Sequence, residues 1–382
     1  MNGGLFALGR LDDPYPLYAR LRAAGPAVQV APGTYAVSRY DDVVAVLKNT
    51  AAFSSAPLGF GFGARTVIGL DPPEHTVLRN IVNRAFTPRM VAAMEPRIRE
   101  IARGLIDALA ARGECDLVRD LAVPLPVIVI AEILGVDPER RDDFKRWSDS
   151  LVFSGAMMGG LDKSRDEFRA YFGEVIAERR REPRDDLISA LTRAEEADTL
   201  TAAEVMSFAL LLLIAGNETT TNLIGNAMLA LLDHPEQLDR VRADTSLVPA
   251  MVEEALRYQS PVQLIFRSCV RDTEVGGSLI PAGASVIPMY ASANRDERHF
   301  PEPDTFDITR ENARDHLAFG YGPHFCLGAP LARLEAQVAF EELLPRLSDI
   351  RMVEEAVEWL PSPLIRGPAR LPIRFKAAVP SP

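Results

Sequence analysis

Cysteine is scarce in this chain: residues Cys115, Cys269 and Cys326 are the only three in 382. Thiols so few and so far apart exclude a disulfide framework and suit a reducing compartment. Long hydrophobic runs are missing as well. The most apolar stretches, "FALLLLIAG" and "LAVPLPVIVIAEILGV", fall short of the ~20 residues a membrane helix needs, and the second contains two prolines. The N-terminal "MNGGLFALGRLDDPYP" has no basic region ahead of an apolar one, so no signal peptide is expected. Positive charge is in deficit, with 42 Lys and Arg against 53 Asp and Glu and a net charge of −11. That balance argues against a nucleic-acid partner. No internal repeat or low-complexity linker divides the chain. These absences lead to the expectation of a cytoplasmic protein that binds neither nucleic acid nor membrane.

What is present is ordinary globular composition, 47% apolar and 25% charged. "AVQVAPGTYAVSRY" predicts two short strands around Pro32-Gly33, and "YDDVVAVLKN" a short helix after them. An aperiodic Gly/Phe-rich loop, "APLGFGFGARTVIGLDPP", has the character of a pocket lid. From Pro73 to about Ala230 apolar residues recur at helical spacing. The clearest helix starts at Thr201, where Thr201 and Glu204 form a capping-box pattern, and runs to the stop at His234-Pro235. It is apolar nearly all round and belongs in the core. "VPAMVEEALRYQSP" is a further helix. Short strand signals follow in "QLIFRSCV", "EVGG" and "ASVIPMYASAN", then a Pro-rich coil, a helix from about Ala329 to Leu347, and a last strand "RLPIRF". The expected class is mainly α with small β-sheets, as one domain over residues 1–382.

The stretch "AFGYGPHFCLGAP", Ala318 to Pro330, carries the chemistry. Cys326 stands just before a helix with Pro330 in its first turn. A helix N-terminus favours an anion there, which lowers a thiol's pKa. Gly320, Gly322 and Gly328 allow tight turns and the close approach of something bulky. A nucleophile, a metal ligand and a buried structural cysteine are all consistent with these features. Elsewhere, "AGNETT" places Glu218 and Thr219 inside an apolar helix, where they are expensive to bury without partners. An ion pair for Glu218 and a hydroxyl bonded back to the previous turn for Thr219 would satisfy them. The small pair Ala215-Gly216 adds room beside the helix for a flat ligand, and an acid–alcohol pair beside such room suits proton delivery. Glu254 and Arg257 share a helix face.

The segment from Phe319 to Gly328 resembles the haem-binding signature of the cytochrome P-450 family, Phe-x-x-Gly-x-x-x-Cys-x-Gly, met by Phe319, Gly322, Cys326 and Gly328. "AGNETT" resembles the family's oxygen-activating motif through Ala215, Gly216, Glu218 and Thr219, and Glu254/Arg257 resemble its Glu-x-x-Arg pair, tied in the family to an arginine matched here by Arg310. The resemblance extends from about Asp12 to the C-terminus. It implies haem b held between the long core helix and the helix after the cysteine loop, with Cys326 as the iron ligand. It implies that His75, Arg79, Arg267 and His324 serve the haem propionates, and that Ala215, Gly216, Phe319 and Gly320 line the cofactor. Glu218 and Thr219 would deliver protons.

The activity so implied is monooxygenation of a hydrophobic small molecule (a terpenoid, steroid, fatty acid or polyketide) with dioxygen. The chain is too short to hold a flavin reductase beside such a fold. The expected partners are therefore a ferredoxin or flavodoxin and its NAD(P)H reductase, acting on a monomer. Arg84, Arg89, Arg97, Arg99 and Arg333 are candidates for their docking patch. Alignment to the family places the pocket along Leu58–Val67, Phe153–Gly160, Leu211, Ile214, Gln263–Ile265, Leu364 and Ile365, with Gln263 and Asn217 as polar contacts. A haem-thiolate sensor without turnover would need neither Glu218 nor Thr219. A hydrolase built on Cys326 and His324 lacks an orienting residue and an oxyanion site.

Overall fold

The structure, a computed structural model, describes residues 12–56, 66–153, 163–196, 200–354 and 356–377, without the side chains at 84, 85, 88, 151–153 and 194–196. In chain order the N-terminal part holds α1 (Tyr15–Ala24), β1 (Ala27–Ala31), β2 (Thr34–Val37), α2 (Tyr40–Lys48) and β3 (Phe53–Ser54). The helical body follows: α3 (Glu74–Ala85), α4 (Pro88–Ala93), α5 (Glu95–Ala110), β4 (Glu114–Asp116), α6 (Pro124–Leu134), α7 (Arg141–Phe153), α8 (Lys163–Arg181), α9 (Leu187–Glu196) and α10 (Ala202–Asp233). Then come α11 (Pro235–Ala243), α12 (Val248–Tyr258), β5 (Arg267–Cys269), β6 (Thr273–Val275), β7 (Ser278–Ile280), β8 (Ser285–Pro288), α13 (Tyr290–Ala293), α14 (Ala329–Leu343), β9 (Leu347–Met352) and β10 (Pro372–Ala377).

The expected core helix is α10, 32 residues long, with its capping box closed as predicted: Thr201 Oγ1 accepts from Glu204 N at 3.2 Å, and Glu204 Oε2 accepts from Thr201 N at 2.8 Å. Its composition leaves no polar face, so it is wrapped by α6, α7, α8, α9, α12 and α14. It is also the one described helix long and apolar enough to cross a membrane, and most of it is buried inside the protein. A contiguous apolar cluster extends from Val67 on the N-terminal side to Phe375 in the last strand.

The strand signals at the two ends of the chain combine. A five-stranded sheet runs β1-β2-β8-β5-β3, with β2 and β8 parallel and the other pairs antiparallel. A second sheet, β4-β10-β9, is antiparallel, and β6-β7 is a hairpin. Sequence patterning misses α1, β3, β4, β9 and α11, and α13 falls in a stretch expected as strand. The helix expected to reach Leu347 ends at Leu343, because Leu347–Met352 is drawn into β9 by pairing with β10. Strands of three to six residues are set by distant partners rather than by local period.

Candidate active site

The site lies where the middle of α10 faces the loop before α14. Along the middle of α10 the buried run is broken on one face only, at Leu212, Ala215, Gly216 and Thr219, with Ala215 exposed inside an otherwise buried stretch. These positions recur at helical spacing, so a cleft passes one side of the helix. Thr219 Oγ1 donates to Ala215 O at 2.8 Å, the bond back to the previous turn, and its lone pairs stay on the cleft side. Glu218, one residue earlier, points about 100° away. It is 1% exposed, and its Oε1 accepts from Lys145 Nζ at 3.2 Å and Ser148 Oγ at 3.1 Å, both on α7. Burial, the largest influence, raises its pKa against the lowering effect of Lys145. Lys145 also pairs with Asp149, and both line an open cleft of about 1040 Å³ on the far side. Glu218 therefore has its structural ion pair, and that pair connects it to solvent.

Asn217, expected as a polar pocket contact, is turned away. It lies about 160° round the helix from both Ala215 and Thr219, is 0% exposed, and neither atom of its amide has a partner. Gln263 is also committed: its Oε1 accepts from Tyr18 Oη at 2.9 Å and its Nε2 donates to Ser260 O at 2.6 Å. Leu211, Ile214 and Leu264 are buried, while Ile265 and Ile365 remain half-buried. The expected pocket segments 58–65 and 154–160 lie outside the described residues, as does the side chain of Phe153.

In the loop before α14, Cys326 N donates to Phe319 O at 2.9 Å and closes the loop. The sulfur is reachable by solvent, yet enough protein surrounds it that burial is the largest influence on its thiol and pushes the pKa up. The backbone N–H groups of Gly328 and Ala329 and the charge of Arg79 work the other way without reversing it. The expected lowering at the helix N-terminus is thus outweighed by desolvation. Two glycines of the loop need their backbone: Gly320 has φ +71° and Gly322 φ +72°. A Cβ on Gly322 would stand 3.0 Å from Leu47 O, so it permits packing against α2 rather than approach to a cofactor.

Four further expected residues converge beside this loop. His75 and His324 have ring centroids 4.2 Å apart. His75 is 2% exposed and both of its ring nitrogens lack a partner, while His324 Nε2 lies 3.2 Å from Ser55 Oγ. Burial followed by the charge of Arg267 holds the His324 pKa down to about 3, and burial followed by Arg79 lowers that of His75. Arg79 donates to Phe325 O at 2.7 Å, and Arg267, 3% exposed, donates to its neighbour's carbonyl, Phe266 O, at 2.8 Å. Among the described residues no carboxylate forms an ion pair with either arginine. A group of cation-capable side chains, His75 and Arg267 buried and Arg79 and His324 half-buried, with an orphaned imidazole and only Asp71 as a nearby carboxylate, itself bonded to Ser54 and Ser55, fits the acidic edge of a cofactor. The exposed Ala215 and the exposed Cys326 fit its flat face and its metal, whereas a Cβ on Gly216 would stand 3.3 Å from Ile130 of α6, so that glycine serves helix packing.

Glu254, Arg257 and Arg310 meet as the motif requires. Glu254 and Arg257 are 0% exposed and joined at 2.7 and 2.8 Å, and Arg310 Nε reaches Glu254 Oε1 at 3.2 Å. One residue escaped sequence reasoning: Glu335 on α14, buried among the helices. Its carboxyl bonds Thr220 on α10, and burial pushes its pKa up to about 8. The only signal for it was a glutamate on the apolar side of "LARLEAQVAF".

The cytochrome P-450 family profile matches residues 130–355. The monooxygenase PikC of Streptomyces venezuelae is 43% identical over 97% of this chain and 94% of its own. A vitamin D(3) 25-hydroxylase of Pseudonocardia autotrophica is 41% identical over 95% and 94%. Among solved structures, CYP109Q5 from Chondromyces apiculatus superposes with a TM-score of 0.90 at 51% identity, covering 98% of both chains. The chain belongs to the cytochrome P-450 family. It is a haem-thiolate monooxygenase, mainly α with small β-sheets, whose cofactor is protoporphyrin IX haem.

Proposed function

We propose that this enzyme inserts one oxygen atom of dioxygen into a C–H bond or alkene of a hydrophobic small molecule of terpenoid, steroid, fatty-acid or polyketide class. Electrons would come singly from a ferredoxin or flavodoxin served by an NAD(P)H reductase. The similarity to a vitamin D(3) 25-hydroxylase supports the polycyclic, steroid-like end of that range. The chain acts as one domain, a cytoplasmic monomer. Cys326 is the residue that would ligate the iron. His75, Arg79, Arg267 and His324 would hold the propionates, Ala215 would leave space for the haem face, and Phe319 and Gly320 would shape the loop beneath it. Bound there, haem supplies dioxygen activation, with thiolate donation favouring O–O cleavage.

The residues of α10 supply the protons. Thr219 offers a hydroxyl at the cleft wall, fixed in direction by Ala215 O. Glu218 receives protons from the solvent side through Lys145 and passes them toward Thr219 by turning from one side of the helix to the other. The observation that carries this reading is the break in burial at Ala215, Gly216 and Thr219, the one place in the interior of α10 where a reacting atom could meet a hydroxyl. Replacing Thr219 with Ala is expected to raise peroxide release per NAD(P)H several-fold while electron uptake continues. Unchanged coupling would remove Thr219 from proton delivery. A screen by haem spectral shift, using steroids against fatty acids, tests the substrate class.

A further inference from the structure

The motif "EEALR" contains two adjacent glutamates that face different ways. Glu254 goes to Arg257 and Arg310. Glu253 is itself 3% exposed and turns to another pair. Its Oε1 accepts from Arg333 Nε at 2.6 Å and its Oε2 from Arg333 Nη2 at 2.9 Å. Oε2 also lies 3.2 Å from His316 Nε2. His316 Nδ1 accepts from Ala318 N at 3.2 Å, so the ring's proton is on Nε2 and is donated to Glu253. Burial, the largest influence, pushes the Glu253 carboxyl up, but hydrogen bonds from His316 and Arg333 prevail and hold it at about 2.

This set bears directly on the cysteine loop. The Arg333 guanidinium sits 4.5 Å over the Phe319 ring, and the His316 ring is 5.7 Å from the same ring. Phe319 O is the acceptor for Cys326 N. The charge of Arg333 also acts on the Cys326 thiol. Arg333 therefore places a positive charge within reach of the sulfur, and the buried Glu253 places the opposite charge against it.

We propose that Glu253 and Arg333 form a charge-balancing pair, with His316 orienting Glu253 as a neutral donor, that adjusts how strongly Cys326 donates to the haem iron, and so sets the ease with which the haem takes its first electron. They are positioning residues: none touches substrate, and each acts through Phe319 or Cys326. The inference rests on Cys326 being the iron ligand, which the thiolate-type absorption of the reduced, carbon-monoxide-treated holoenzyme checks separately.

The test is the midpoint potential of the holoenzyme, measured by spectroelectrochemical titration at about pH 8.5, well above the ordinary imidazole range. Glu253→Gln leaves the charge of Arg333 unopposed and favours the reduced state. Arg333→Gln leaves the charge of Glu253 unopposed and disfavours it. At a fixed poise the reduced-to-oxidised ratio should move by more than about threefold, upward in the first variant and downward in the second. Arg333→Lys, which keeps the charge, should lie closest to the unmodified enzyme. A merely structural role would move both Gln variants the same way or neither, and either result overturns the proposal. If Glu253→Gln does not take up haem, Arg333→Gln carries the test, and an unchanged or raised midpoint refutes it.

Discussion

Burial dominates the chemistry of individual residues here. The Cys326 thiol is pushed up although two backbone N–H groups point at it. If Cys326 ligates the iron as proposed, the metal would supply what its surroundings do not, since a bound cation deprotonates a coordinating thiol. Glu335 is the sharper case. Its folded pKa of about 8 lies far above the 4.5 of an ordinary glutamate. Below about pH 4.5 the carboxyl is neutral in both states and its contribution to stability is complete. As pH rises toward 8 the unfolded chain ionises first and stability falls, levelling once the folded group ionises too. Glu335→Gln should remove this slope and gain up to ~5 kcal/mol over the unmodified protein above pH 8, with no gain near pH 4. Denaturation midpoints across that range provide the check. Parallel profiles for the two proteins would mean that Glu335 is already ionised in the fold.

At the scale of elements, α12 anchors the loop on which the site depends. The Glu254–Arg257 pair is joined to the coil by Arg257 Nη1 to Pro303 O at 2.8 Å and Arg257 Nη2 to Thr305 O at 3.0 Å. Arg310 adds bonds to Pro301 O and Glu302 O at 2.5 and 3.0 Å. Removing one member of a buried pair leaves the other unpaired. Glu254→Ala should therefore cost about 3–5 kcal/mol in urea unfolding and reduce haem retention. A loss below about 1 kcal/mol would show that the coil is held by its carbonyl bonds alone.

Three of the five arginines expected to form a docking patch, Arg97, Arg99 and Arg333, belong to the whole molecule's internal wiring. Arg97 bonds Glu132 and Glu100, and Arg99 bridges Glu95, Glu341 and Glu342, which ties α5 to α14. Arg333 is spent on Glu253. Arg89 is exposed, and the side chain of Arg84 is not described. A patch neutralised in this way steers weakly. Arg97→Gln and Arg99→Gln should lower thermal stability and leave the rate of reduction by a ferredoxin nearly unchanged between low and moderate salt. Reduction that slows several-fold in either variant, with a steep salt dependence, would restore the patch.

Much of this protein was legible in its sequence because the relevant signals are local. A capping box, an apolar period of 3.6 and a Pro-Gly turn determine α10 and the first hairpin within windows of a few residues. A cysteine between glycines ahead of a helix, an acid–alcohol pair in an apolar helix and Glu254/Arg257 are likewise short patterns, and their resemblance to cytochrome P-450 motifs implied the cofactor class. The tertiary structure decided what depends on which side of an element meets what. It turned Asn217 away from the cleft while exposing Ala215, used both ends of the Gln263 amide, and assigned the arginines to glutamates far along the chain. It also set the pKa of Cys326, Glu335 and Glu253 through burial and partners that no window contains. Local sequence prescribes conformation, whereas desolvation and charge pairing depend on neighbours brought from hundreds of residues away.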